Sequence, residues 1–138
     1  MKNFKKQQGF TLIEIMVVVI IIGVLAAMVM PRLAGRSEQA KVSAAQADVS
    51  SNISTGLKLY EMDNGHFPKA EEGGLEALLT QPASATAWKG PYLERKAVDP
   101  WGRPYEYRIP GTHRTYDYDL FSLGSDGIES DDDVKNWQ

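Results

Sequence analysis

The chain has 138 residues, no cysteine and a formal net charge of −3, enough for one small domain with an appendage. The acidic balance argues against a nucleic-acid partner, whose phosphates need a basic face. Without cysteine no disulfide can form, so a small body needs another staple, for which a metal is the usual substitute.

The first eight residues carry Lys2, Lys5 and Lys6 and no acid. From Phe10 to Met30 only Thr11 and Glu14 are polar, and the run from Ile15 to Met30 is unbroken. That length matches the roughly 20 apolar residues needed to cross a bilayer. A secretory signal peptide is a poorer reading, because the run is long for such a segment and Ala26-Ala27-Met28 is a poor cleavage site. A plain membrane anchor leaves Glu14 unexplained, since a charge within a membrane helix costs about 3 kcal/mol on insertion scales. Cleavage after Gly9 would free an amine on Phe10. In a bundle of such helices, Glu14 of one copy would pair with the Phe10 amine of the next and so escape burial as an unpaired charge. Within one helix, Glu14 would instead favour the positive N-terminus.

The lysine-bearing leader, Gly9, Phe10-Thr11-Leu12-Ile13-Glu14 and the Val/Ile/Leu run together resemble the class III signal of type IV pilins and pseudopilins. The resemblance implies that a prepilin peptidase cuts Gly9–Phe10 on the cytoplasmic side and that Phe10 is then N-methylated. Charge alone barely orients the segment, with lysines before it and Arg32, Arg36 and Lys41 after it. The resemblance places the leader inside and the body outside, in the periplasm. The expected organisation is a leader over 1–9, a transmembrane and assembly helix over 10–30, and a periplasmic domain over 31–138.

Gly23 and Pro31 are weak points in that helix, and proline bends a helix axis. Helix signals resume at once, so a bent continuation is expected up to Asp63, roughly 80 Å in all at 1.5 Å per residue. Val42, Ala45, Val49, Ile53, Gly56 and Tyr60 recur at three- and four-residue spacings and mark one core-facing stripe. Asp63-Asn64-Gly65 supplies the stop. Gly74–Leu79 reads as a short helix with Leu75, Leu78 and Leu79 inward. Trp88–Leu93 reads as a packed Gly/Pro loop. Tyr105, Tyr107 and Ile109 alternate with Glu106 and Arg108, and Tyr116, Tyr118 and Leu120 alternate with Asp117, Asp119 and Phe121, which predicts an antiparallel hairpin. The fold class is α+β: a long bent N-terminal helix, half membrane-spanning and half amphipathic, on a small antiparallel sheet.

Tyr60, Asn64-Gly65, Phe67-Pro68, Gly74–Leu78, Asp99-Pro100-Trp101-Gly102-Arg103-Pro104-Tyr105 and Leu120-Phe121-Ser122-Leu123-Gly124-Ser125-Asp126-Gly127 narrow the resemblance. Across nearly the whole chain they are similar to the major pseudopilins of type II secretion. True pilus subunits usually carry a C-terminal disulfide loop, which cannot form here.

The C-terminal stretch is acidic, with Asp126, Glu129, Asp131, Asp132 and Asp133 close together. Such oxygen donors suit Ca²⁺, which takes 6–8 of them in flexible geometry, although the spacing is not that of an EF-hand. A solvated acidic tail is the simpler compositional reading, but Val134 and Trp137 should pack and so argue against it. The pseudopilin resemblance implies one calcium held by Asp126, Asp133, the Leu123 carbonyl and a third carboxylate, Asp131 or alternatively Asp132.

The expected function is that of a structural subunit of the periplasmic pseudopilus of type II secretion, polymerising to drive export of folded proteins across the outer membrane. The resemblance implies as partners the chain itself, minor pseudopilins, the prepilin peptidase, an inner-membrane assembly platform and the membrane. It implies the inner membrane as the place of insertion. The rival readings are a type IV or competence pilus subunit and a non-polymerising, membrane-anchored calcium-binding module. An enzyme is the least supported class, because His66 and His113 are the only histidines and no nucleophilic set is present.

Overall fold

The structure, a computed structural model, describes residues 9–137, and for residues 31–34 the backbone alone. The leader lysines and residues 1–8 lie outside the described residues. The chain forms two compact units that divide after Glu38, and each is described separately.

The first unit is the opening of helix α1 (Leu12–Ala47). Its start is fixed by a capping box: the Thr11 N–H donates to Glu14 Oε2 at 2.7 Å while the Glu14 N–H donates back to Thr11 Oγ1 at 3.3 Å. The Thr11 hydroxyl also donates to the same carboxylate oxygen, at 3.0 Å. Two otherwise orphaned helix donors are thereby satisfied. Gly23 does not interrupt α1, and the helical backbone continues through Pro31 as the sequence leads one to expect. The large apolar side chains of this stretch are all exposed, from Phe10 at 87% to Val17 at 49%. From Leu12 to Met30 no face of the helix finds a core within its own chain. It is long and apolar enough to cross a membrane.

The second unit begins with the end of α1, passes through a π-helical turn at Asp48–Asn52 and continues as α2 (Ile53–Asn64). Ala45, Val49, Ile53, Leu57 and Tyr60 are buried along one stripe. Four-residue steps drift around an α-helix of 3.6 residues per turn. The wider i→i+5 turn absorbs that drift, and the Ser54 hydroxyl donates to the Val49 carbonyl at 2.6 Å across it. Val42, expected in the stripe, is 41% exposed, because it lies one turn above the point where the core begins. Gly65 ends α2 in a left-handed conformation (φ 82°) with its N–H on the Glu61 carbonyl at 2.7 Å, which is the stop anticipated at Asn64-Gly65.

The expected short helix is a 3₁₀ turn at Gly74–Leu78. Ala77 and Leu78 are its buried residues, whereas Leu75 and Leu79 are half-buried. The loop after it packs as anticipated: the Trp88 indole donates to the Ala77 carbonyl at 2.8 Å, and the Tyr92 hydroxyl to Asp63 at 2.7 Å. Gly56 permits this approach, since a Cβ there would stand 3.1 Å from the Tyr92 carbonyl oxygen.

The hairpin is present but shorter than the alternation suggests. Strand β1 (Glu106–Arg108) pairs antiparallel with β2 (Asp119–Ser122) in the register Tyr107 opposite Leu120. Tyr116 is fully exposed and belongs to the connection. A third strand, β3 (Val134–Lys135), pairs antiparallel with β2, so the order is β1-β2-β3 with β2 central. All four residues of β2 are buried. That corrects the outward placement of Asp119, which the alternation implies.

Candidate functional site

Two groups of residues carry the functional reading. The first lies at the head of α1. Gly9 and Phe10 precede the helix and are exposed, and Thr11 caps it. Within one chain the Glu14 carboxylate is held by Thr11 rather than by the Phe10 amine. The pattern Thr11-x-x-Glu14 before an apolar run is the sequence signature of a capping box. It was legible in the sequence and adds a local role to the intermolecular one expected for Glu14.

The second group is the loop joining β2 to β3, residues 123–133. Its entrance is fastened by the Asp99 turn. Asp99 is buried, accepts the N–H groups of Trp101 (3.0 Å) and Arg103 (2.8 Å) on Oδ1, and accepts the Ser122 hydroxyl on Oδ2 at 2.6 Å. Ser122 in turn accepts the Gly124 N–H at 3.2 Å. Arg103 reaches across and donates to the carbonyls of Gly124 (2.6 Å) and Ser125 (3.3 Å). Gly127 adopts a left-handed conformation (φ 74°) that favours glycine, and the Arg103 guanidinium packs where a Cβ would stand.

The expected ligands take up distinct places within this loop. The Leu123 carbonyl accepts the Gly127 N–H at 3.2 Å. Asp126 accepts the Ile128 N–H at 3.0 Å in a tight local turn. Asp132 accepts the Ser130 hydroxyl and faces Gly124, its Oδ2 standing 3.3 Å from where a Cβ would be. Asp131 is exposed. Asp133 is buried, at 3% exposure; its Oδ2 accepts the Ser130 N–H at 3.0 Å while its Oδ1 is buried with no hydrogen-bond partner. Burial pushes the Asp133 carboxyl up from its ordinary range; the Ser130 N–H and Lys135 oppose this, and the charges of Asp132 and Asp126 reinforce it. Among the described residues no three acidic or histidine side chains already stand together in a metal-holding group. The orphaned oxygen of a buried carboxylate that feels the charges of Asp132 and Asp126 nevertheless fits a hard cation such as Ca²⁺ chemically.

Val134 and Trp137 pack, as the sequence leads one to expect. Val134 is buried, and the Trp137 ring lies stacked on His113 at 4.2 Å and edge-on to Phe121 at 5.4 Å. Asp119 is a buried carboxylate that sequence reasoning did not single out. It accepts the N–H groups of Thr112 (2.8 Å), His113 (3.0 Å) and Arg114 (2.9 Å) and the Thr112 hydroxyl (2.9 Å). Burial opposes its ionisation, but the N–H groups of His113 and Arg114 and the side chains of Thr112 and His113 outweigh it and hold the carboxyl far below its ordinary range. Gly111 is the available signal: a Cβ there would stand 2.5 Å from Asp119 Oδ1.

A capped helix behind Gly9-Phe10, apolar from Ile15 to Met30, together with a small unit of helix on three-stranded sheet, defines a pilin-like protein. Residues 4–30 match the family model "Prokaryotic N-terminal methylation motif", and residues 32–137 match "Type II secretion system (T2SS), protein G". The chain is 46% identical over 141 residues to the type II secretion system core protein G of Pseudomonas aeruginosa, covering 96% of each chain. It is 42% identical over 142 residues to the protein of that name in Escherichia coli K12, covering 99% of this chain and 95% of the relative. It also superposes on the crystal structure of the major pseudopilin from the type 2 secretion system of enterohaemorrhagic Escherichia coli, with a TM-score of 0.65 and 31% identity over 76% of this chain and 89% of that one. The chain belongs to the type II secretion system protein G family, and it is a pseudopilin of that system.

Proposed function

We propose that the chain is inserted into the inner membrane as a precursor with its leader in the cytoplasm, and that a prepilin peptidase removes residues 1–9. The new Phe10 amine is then N-methylated. Residues 10–30 hold the subunit in the bilayer until an inner-membrane assembly platform transfers it into the pseudopilus. Residues 31–138 form its periplasmic part. The filament is built chiefly of this chain, joined by minor pseudopilins, and its growth drives folded proteins across the outer membrane.

The observation that carries this reading is the uncovered apolar surface from Phe10 through α1 to Met30. Lipid covers it in the membrane, and neighbouring copies cover it in the filament. Glu14 serves both states: Thr11 satisfies its carboxylate within the helix, and the methylated amine of a neighbouring Phe10 neutralises it once lipid is replaced by protein. Calcium belongs to the C-terminal loop. Asp126, Asp133 and the Leu123 carbonyl would hold it with Asp131 or Asp132, and the ion would supply the positive charge that the buried Asp133 oxygen lacks.

Intact-mass measurement of the membrane-extracted protein tests the route. Loss of residues 1–9 with gain of one methyl group is expected. A chain that retains its leader and stays monomeric would overturn the proposal in favour of a static calcium-binding anchor. Normal cleavage with assembly into surface pili would favour a type IV pilin.

A further inference from the structure

Lys135 sits on β3 opposite Phe121, and its side chain is only 15% exposed. Its ammonium donates to the Ser130 carbonyl at 2.6 Å and stands 3.8 Å from Asp133 Oδ2. A lysine ammonium is a compact, strongly hydrated charge, and drawing it below the surface needs a counter-charge. At 3.8 Å it meets the buried carboxylate whose other oxygen has no partner, and it also acts on the charge of Glu129. Lys135 is therefore placed where it half-neutralises Asp133, inside the same loop that the calcium reading assigns to a divalent ion.

We infer that Lys135 sets the cation affinity of the C-terminal loop as a tethered competitor. In the metal-free chain its ammonium compensates Asp133 and keeps the β2–β3 loop closed through Ser130. A divalent cation arriving at Asp133 meets that positive charge and binds more weakly than the carboxylates alone would allow. Lys135 thus exchanges metal affinity for integrity of the loop without metal. This inference rests on the calcium reading of the loop.

The experiment is calorimetric titration of CaCl₂ into the chelator-stripped full chain in detergent micelles, with thermal melts in parallel. Lys135→Gln keeps a donor for the Ser130 carbonyl but removes the charge, and Lys135→Arg keeps the charge. For Lys135→Gln we expect calcium to bind on the order of tenfold more tightly, as removal of one nearby unit charge at partial burial implies, with a lower metal-free Tm and a larger rise on adding calcium. Lys135→Arg should titrate as the native chain does. A native chain that binds calcium beside a Lys135→Gln variant that binds no more tightly overturns this inference and leaves the calcium reading standing. A silent native chain beside a binding Lys135→Gln variant supports the competitor role and removes calcium from the native protein. Silence in both removes both. If Lys135→Gln unfolds in chelator, recovery of its far-UV circular dichroism on adding CaCl₂ supports the inference, and failure to recover at saturating CaCl₂ overturns it.

Discussion

The two units solve opposite problems. In the second, buried polar groups are mostly answered from within: Asp119 by the 112–114 backbone, Asp99 by Ser122 and its own turn, Tyr105 by Asp48 at 2.9 Å. In the first, the Thr11–Glu14 cap settles the polar groups at the head of the helix, and the exposed apolar side chains from Phe10 to Met30 are left for something outside the chain. The difference teaches that the second unit answers most of its buried polar groups from its own chain, whereas the first acquires its environment only from lipid or from other copies. Changes in the first unit should therefore act on assembly and leave folding intact, while changes in the second should act on folding first.

The sharpest way to break that contrast is Glu14→Ala. We expect loss of filament formation, seen by electron microscopy of overexpressing cells, with the Tm of the purified protein unchanged. Normal filaments would sink the intermolecular role of Glu14 and leave it as a helix cap alone. Within the second unit the largest effect belongs to Asp119→Ala, which takes the buried acceptor from three backbone N–H donors and should destabilise by about 3 kcal/mol in denaturant unfolding.

The same residue predicts the acid response. Its folded carboxyl lies well below the unfolded value near 3.9. The unfolded chain therefore binds its proton first as pH falls, so the contribution is full above about pH 4–5 and is lost progressively below it. Asp119→Asn should flatten stability against pH in that range, and an unchanged acid limb would refute the assignment. Calcium removal comes next: at free calcium a hundredfold above the dissociation constant, mass action gives about 2.7 kcal/mol, read as a drop in Tm on adding EDTA that excess CaCl₂ restores. Smallest is Gly56→Ala, where a methyl would press on the Tyr92 carbonyl at 3.1 Å and Leu93 at 3.2 Å. Overpacking of this size costs on the order of 1–2 kcal/mol. A neutral result would show that the 92–93 loop can move aside.

Much of this was legible in the chain itself. The apolar run, the Ala45-Val49-Ile53-Tyr60 stripe and the Asn64-Gly65 stop each rest on a period or a conformational preference that residues declare locally. What escaped had no local period. Strand β3 is two residues long, too short to alternate, and it forms because β2 offers it a free edge. Asp119 obeys the alternation of an outward residue, yet it is buried because the 111–114 segment brings its N–H groups over it, a long-range fact that only Gly111 hints at. In the C-terminal loop the residue types were readable but their arrangement was not, since the loop's entrance is tied down by Arg103, a residue some twenty positions upstream, through the carbonyls of Gly124 and Ser125.

That tie also divides the connection into parts with different evolutionary freedom. Its first residues are moored to a turn some twenty positions upstream, and its last are moored by sheet pairing at Val134. The stretch around Ile128, itself 68% exposed, hangs between two fixed posts. A change of length there would spare both moorings and fall instead on the exposed Arg108–Glu129 ion pair, which joins this stretch to β1.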